Sequence, residues 1–241
     1  MPMRFYIRAP VDNPHRLSED APVIHRRKGR FVKLYMVPLA PNPTKVMLYI
    51  AEREALGTAM PIEQIVVNTL KGRHREPEHI ARNPFGTLPV LELDDGSYIV
   101  ESRAVVGYLE DKYPEGALLG ASPEERGKAR DVERICDVRV LASLGGYVHA
   151  TRSPLGLPAN PEKAAQLEKG LQAPLDYLES LLADGRPLLL GDHVTPSDCT
   201  LAAGFQFLRW ADGDLMGERR NLRGWDERYR ARASVADVLK W

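Results

Sequence analysis

The sequence predicts two folding units: an α/β unit with the element order β-α-β-α-β-β-α, then a unit built of helices alone. Three observations lead to this reading. Strand-like segments occur only between residues 31 and 100. The segments between them carry apolar residues at helical spacing, as helices covering a mixed sheet would. Past Gly120 the strand signals stop and long helical patterns take over.

The first strand is expected over residues 31–36, where strand formers alternate. Pro38, Pro41 and Pro43 then interrupt the chain. Pro43 suits the first turn of a helix, because the N–H it lacks has no intrahelical partner there. That helix is expected over 44–56, closed by Gly57. A second strand over 62–67 leads through a loop with Gly72 to a short helix over 77–82. Two strands over 88–93 and 98–100 join at Asp95-Gly96, a dipeptide suited to a tight hairpin turn. Val105, Val106 and Leu109 mark a helix over 101–113, and Pro114 stops it.

In the helical unit, residues 123–149 read as one long helix that weakens at Gly145-Gly146. Leu167, Leu171, Leu175, Leu178 and Leu182 form one face of another, with a kink expected at Pro174. A further helix starts at Thr195-Pro196-Ser197-Asp198. There the Thr195 hydroxyl can cap the Asp198 amide while the Asp198 carboxylate reaches back to the Thr195 amide, with Val194 and Cys199 as the accompanying staple. The units are placed at 31–114 and 123–241, with the linker near 115–122. Residues 1–30, with Pro10, Pro14, Pro22, many charges and no periodicity, read as an N-terminal extension.

Composition narrows the function classes. The 241 residues are 44% hydrophobic and 27% charged, with Lys+Arg and Asp+Glu balanced at 33 each. A neutral total gives no support to a nucleic-acid or anionic-membrane partner, which would need a basic surface. The one basic run, Arg26-Arg27-Lys28-Gly29-Arg30, reads as a solvated tail. Cys136 and Cys199 lack metal-ligand spacing, so neither a zinc site nor a disulfide framework is indicated. No stretch reaches the roughly 20 apolar residues of a membrane span, and the acidic N-terminus lacks a signal core. A cytoplasmic protein is expected.

A set of short motifs then carries a resemblance. Lys71-Gly72-Arg73-His74-Arg75-Glu76-Pro77-Glu78 is followed by Asn83-Pro84-Phe85-Gly86-Thr87-Leu88-Pro89-Val90-Leu91, by Asp95-Gly96 and by Glu101-Ser102. In this order and spacing they resemble the glutathione transferase superfamily, and Thr195–Asp198 matches the capping motif of its helical domain. The turn Pro38…Pro41…Pro43 and the stretch ELDDG are most similar to the second of the yeast-type transferases and its bacterial relatives.

The resemblance implies a thioredoxin-like N-terminal domain that binds glutathione and an all-α C-terminal domain that holds an electrophile. It implies a cis bond at Leu88-Pro89, with the Leu88 amide and carbonyl meeting the cysteinyl part of glutathione. It implies that Glu101 faces the ligand's ammonium and that Ser102 meets its γ-glutamyl carboxylate at a helix N-terminus; spacing alone reads the pair equally well as a plain helix start. His74 and Arg75 fall where related classes contact the glycyl carboxylate, or they belong to a solvated loop. Thr87 stands where the family often has lysine, glutamine or valine. His79 reads as a helix-surface residue.

The group that activates the thiol is left open. The nucleophile must be the thiolate, yet the family's serine position is Ala40 and its cysteine position Pro41, and neither side chain donates. Tyr35 lies inside the first strand and reads as core. Asn42 matches an asparagine that several bacterial relatives place two residues after the serine position. Its amide can donate to sulfur as an oxyanion donor does, or it makes only an Asx-type bond in the turn. His149 is either a packed helix residue or a general base acting from the helical domain. Tyr147, Phe205, Phe207 and Trp210 are candidates for the electrophile pocket or for core.

The expected activity is conjugation of glutathione to a small hydrophobic electrophile by a homodimeric detoxification transferase. A glutathione-dependent disulfide or thiol reductase, and a non-catalytic glutathione- or partner-binding protein of the same fold, are the alternatives.

Overall fold

The computed structural model describes residues 32–241; the extension expected over residues 1–30 lies outside the described residues. Four strands, β1 (Val32–Met36), β2 (Ile62–Val66), β3 (Val90–Glu92) and β4 (Tyr98–Ile99), form one sheet in the order β2-β1-β3-β4. β2 runs parallel to β1, whereas β3 and β4 add antiparallel, so Tyr35 pairs with Ile65 on one side and Val90 on the other. The expected strand order holds, but the last two strands are shorter than their patterns. Pro89 cannot donate to the ladder, which confines pairing to the residues after it. The expected tight turn at Asp95-Gly96 is wider: Leu93 N–H reaches Ser97 C=O at 2.9 Å, and Gly96 N–H reaches Leu93 C=O at 3.0 Å.

Helices α1 (Pro41–Ala55), α2 (Pro77–Arg82) and α3 (Ser102–Lys112) accompany the sheet. α1 begins three residues before its expected start, so both Pro41 and Pro43 fall in its first turn, where the missing N–H groups cost nothing. Val46, Leu48, Tyr49 and Ile50 on α1 share a core with Leu34 and Leu91 of the sheet.

The helical half contains α4 (Pro123–Ile135), a π turn (Cys136–Leu141), α5 (Ala142–Thr151), α6 (Pro161–Leu181), α7 (Pro196–Trp210) and α8 (Arg220–Arg230). The single helix expected over 123–149 is therefore interrupted at the π turn and not at Gly145-Gly146, which lie within regular helix. Glycine at 146 serves packing: a Cβ there would stand 3.0 Å from the Leu167 Cδ1 of α6, so the bare backbone lets the two helices close. Pro174 lies inside α6, which continues past it to Leu181.

α7 is the centre of this half. Every residue from Pro196 to Leu208 is buried, and the helix packs on α1, α4, α5 and α8. Its capping box forms as expected. The Asp198 carboxylate does more than cap, however. Fully buried, it accepts from Thr195 N–H (2.9 Å), the Thr195 hydroxyl (2.9 Å), Leu189 N–H (3.0 Å) and the Trp225 indole N–H (2.8 Å). Burial pushes its carboxyl pKa up, and these donors oppose that shift.

α1 carries three buried charges. The Lys45 ammonium pairs with Asp137 of the π turn. Glu52 receives Arg232 through two bonds of 2.9 and 2.8 Å. Arg53 donates to Tyr49, to the Tyr113 carbonyl and to the Glu115 carbonyl at 2.9 Å. Beside it, Glu110 accepts from the Tyr49 hydroxyl at 2.7 Å and from the Leu118 N–H at 2.8 Å, which fastens the linker.

Asp198→Ala strands four buried donors, each costing about 1–3 kcal/mol when left without an acceptor. The variant should lose about 3 kcal/mol or more of stability in urea unfolding; an unmoved midpoint would show that these contacts do not hold the helix.

Candidate glutathione site

The chain enters α1 through a constrained turn. Leu39 has φ 75, a left-handed conformation uncommon for a branched residue and one that clusters at functional sites. Ala40 follows as an extended N-cap with no side-chain cap. Pro41 and Pro43 have no N–H, so the first turn of α1 presents the Asn42 N–H alone, at the positive end of the helix dipole.

A second helix N-terminus meets the first. Glu101 is the extended N-cap of α3, its carboxylate exposed and not used for capping. Ser102, the first residue of α3, is buried, and its hydroxyl donates to Asn42 Oδ1 at 3.2 Å. That bond orients the exposed Asn42 amide: its oxygen is occupied, and its NH₂ is left as the donor. Two helix N-termini, a hydroxyl and an amide NH₂ thus converge beside one carboxylate, an arrangement suited to a ligand carrying both negative and positive charge.

The segment between α2 and β3 is fixed from below. Asn83 is fully buried; its amide donates to the Thr87 carbonyl and to the Thr87 hydroxyl, each at 2.9 Å, and its oxygen accepts from Phe85 N–H at 3.0 Å. His79 Nε2 adds a second bond to the Thr87 carbonyl at 3.1 Å. His79 is therefore buried and not on the helix surface, a correction to its expected place. Six residues of α2 are too short to reveal an inward face by periodicity. The Leu88-Pro89 bond is cis, as expected. Leu88 N–H and C=O carry no hydrogen bond among the described residues and are open to a ligand.

His74 and Arg75 form a 3₁₀ turn (Arg73–Arg75) against this loop, since a Cβ at Gly86 would lie 3.2 Å from the His74 carbonyl. Arg75 Nε donates to His74 Nε2 at 3.3 Å. Burial, Arg75 and His79 lower the His74 pKa.

A cleft of about 730 Å³ opens beside the two helix N-termini. Asn42, Glu101 and Ser102 line it, together with Asp137, Val138 and Leu141 of the π turn. His74, Arg75, Thr87, Leu88, Pro89 and His149 do not line it. His149 makes a 2.9 Å contact with the Ser153 hydroxyl and lies edge-on to Phe207, its pKa lowered by burial and by Lys163. Phe205 and Phe207 are core, packed against Trp225 and Trp210 respectively. Sequence reasoning missed the π-turn wall, which has no composition signal. It also missed Lys45, whose signal was a charge on an otherwise apolar stretch of helix.

Tyr35 is core, as expected. Its hydroxyl donates to Glu92 at 2.6 Å, and the Arg82 guanidinium stands 4.3 Å from the ring centroid. Burial and the Glu92 carboxylate push the phenol up to about 12. Its proton is committed to the sheet.

A family model for the glutathione S-transferase N-terminal domain matches residues 34–117. Glutathione S-transferase 2 of Saccharomyces cerevisiae is 31% identical over 212 residues, covering 86% of this chain and 89% of that protein. Glutathione S-transferase F10 of Arabidopsis thaliana is 30% identical over 83% of this chain and 93% of its own length. Among solved structures, Gtt2 of Saccharomyces cerevisiae aligns with a TM-score of 0.74 at 30% identity, over 86% of this chain and 100% of that one. A glutathione S-transferase domain-containing protein of Marinobacter aquaeolei VT8 aligns with a TM-score of 0.74 at 32% identity, over 84% and 99%. This chain belongs to the glutathione S-transferase family, and its sheet with α1–α3 is that family's thioredoxin-like domain.

Tyr35→Phe removes one hydrogen bond within the sheet and no donor to the cleft. It should cost about 1 kcal/mol of stability while leaving turnover with glutathione within about twofold of wild type; a loss of turnover beyond roughly tenfold, about 1.4 kcal/mol in the barrier, would place the phenol in the reaction.

Proposed function

We propose that this chain conjugates the thiolate of glutathione to small hydrophobic electrophiles, with the joined N-termini of α1 and α3 as the centre that binds the peptide and holds its sulfur. The observation that carries the reading is the Ser102–Asn42 hydrogen bond at 3.2 Å, which couples the family's γ-glutamyl grip to the turn where its thiol activator stands. A glutathione transferase takes glutathione as co-substrate, and each residue named here has a physical role toward it.

Glu101 meets the ammonium of the γ-glutamyl group. The Ser102 amide N–H meets its carboxylate at the α3 N-terminus, where the dipole favours negative charge, while the hydroxyl keeps its proton on Asn42 Oδ1. The open Leu88 N–H and C=O bond the cysteinyl backbone in strand fashion, and Pro89 shapes that approach. Thr87 holds the segment through its carbonyl, while Arg75, with His74 beside it, receives the glycyl carboxylate through a charge-assisted bond. The Asn42 NH₂ then donates to the sulfur and lowers the cost of its negative charge. The thiolate forms a C–S bond with the electrophilic carbon, and the leaving group departs with the electron pair. His149 stands outside the cleft wall with Ser153 as its partner, so we assign the thiolate to Asn42. A reductase acting through a side-chain thiol has no cysteine in this turn to use.

Family resemblance supports, as part of the same proposal, a homodimer acting in cytoplasmic detoxification. No helix among the described residues is long and apolar enough to cross a membrane.

Glu101→Ala with Ser102→Ala removes the carboxylate that meets the ammonium, a charge-assisted interaction worth about 1.5–3 kcal/mol, and the hydroxyl that orients Asn42. Calorimetry should show glutathione affinity reduced by at least about tenfold, with chlorodinitrobenzene conjugation lost and the melting temperature near that of wild type. Near-native affinity in a folded double variant would remove the site from these helix ends.

A further inference from the structure

We propose that Lys45 and Asp137 are a pair of opposed charges that sets the ionisation of glutathione's bound thiol, Lys45 favouring the thiolate and Asp137 disfavouring it. The inference rests on the first turn of α1 being where the sulfur is held.

A lysine is an unexpected residue at this place. Lys45 stands in the second turn of α1, near the end where the helix dipole favours anions over cations, and its side chain is 1% exposed. Helix stability therefore does not explain the charge. Packing does not explain it either, because a buried ion pair gains little over apolar side chains of similar volume. Proximity to the thiol turn does. Lys45 lies three residues after Asn42, so the two are neighbours on one helix face, about 4.5 Å apart along the axis. A helical side chain also leans toward the N-terminus of its helix, the end where Asn42 stands.

Asp137 meets this ammonium from the π turn and lines the same cleft as Asn42 and Ser102. Its side chain is 18% exposed, so solvent and salt screen its charge only in part. The neighbouring charges are matched across elements. Arg103 of α3 pairs with Glu133 of α4, which also accepts from the Thr200 hydroxyl of α7 at 3.3 Å. Burial pushes the Glu133 carboxyl up, and Arg103 and Lys45 oppose that shift. Arg134, largely exposed, adds a second contact to Asp137 at 3.2 Å. Arg130 and Glu101 complete the charged lining, Glu101 being given to the ammonium of glutathione. Asp198 of α7 has its four donors, and burial pushes the Cys136 thiol of the π turn up. Removing one member of the Lys45–Asp137 pair thus leaves the other acting on the sulfur.

Ultraviolet titration of bound glutathione tests this through the sign of the shifts. Lys45→Met should raise the thiol midpoint by about one unit, and Asp137→Asn should lower it by about half a unit. The double variant, with neither charge, should titrate within a few tenths of a unit of wild type, and Lys45→Arg should keep the wild-type midpoint. The acidic limb of kcat/KM should move in step. Where Lys45→Met does not fold, Lys45→Gln, whose amide can still donate to Asp137, carries the same expectation. A pair that only braces the fold predicts the reverse pattern: both single variants shift the midpoint in the same direction, and the double variant does not recover. Either result overturns the proposal. If Asn42→Ala moves the midpoint and neither charge variant does, the proposal falls and the sulfur site stands. If Asn42→Ala is as silent as the charge variants, both fall.

Discussion

The arrangement depends on three charges buried on one helix. Lys45 and Glu52 are 1% exposed and Arg53 is 0% exposed, yet α1 must pack between the sheet and α7. An unpaired charge in that position would cost several kcal/mol, so α1 can occupy it only if each charge is met. Asp137 of the π turn, Arg232 beyond α8, and the Glu110 carboxylate with the linker carbonyls of Tyr113 and Glu115 meet them. These bonds make α1 the reference for the linker, the π turn and the C-terminal segment together. Removing any one partner leaves a stranded charge rather than a merely weaker contact.

Function follows from where that helix ends. With α1 fixed along its length, its first turn is fixed too, and the left-handed Leu39 and the two prolines leave little freedom in how the chain enters it. Ser102 reaches the same point from α3. The π turn, tied to α1 through the Lys45–Asp137 pair, supplies another part of the cleft lining. A π turn widens the helix by an extra residue and is frequent at functional sites; here it brings Asp137, Val138 and Leu141 to the cleft. The interactions that bury α1 therefore also tie its entrance turn to the π turn that lines the same cleft.

Much of this was legible from local chemistry. The capping residues at 195–198 and the helix at Pro77–Arg82 are short-range devices with short-range signatures, whereas the cis bond at Leu88-Pro89 was implied by the family resemblance. The start of α1 was misread because two prolines resemble a break, although a first helical turn tolerates both. Gly145-Gly146 resembled a weak point, yet at Gly146 the missing side chain is what lets α6 approach. The partners of Lys45, Glu52 and Arg53 lie 92, 180 and 57 residues away along the chain, so no local pattern announces them. For the same reason the Glu101-Ser102 pair was recognisable, while its bond to Asn42 was not.

The central claim is that Asn42, placed by α1 and oriented by Ser102, holds the thiolate. Ultraviolet titration of bound glutathione tests it most directly. In the wild-type complex the thiol should titrate well below the pKa of about 8.5 of a free thiol. Asn42→Ala should raise that midpoint by about one unit, equivalent to about 1.4 kcal/mol of lost thiolate stabilisation. A midpoint unmoved by Asn42→Ala but raised by His149→Ala would contradict the account and transfer the activation to the helical half.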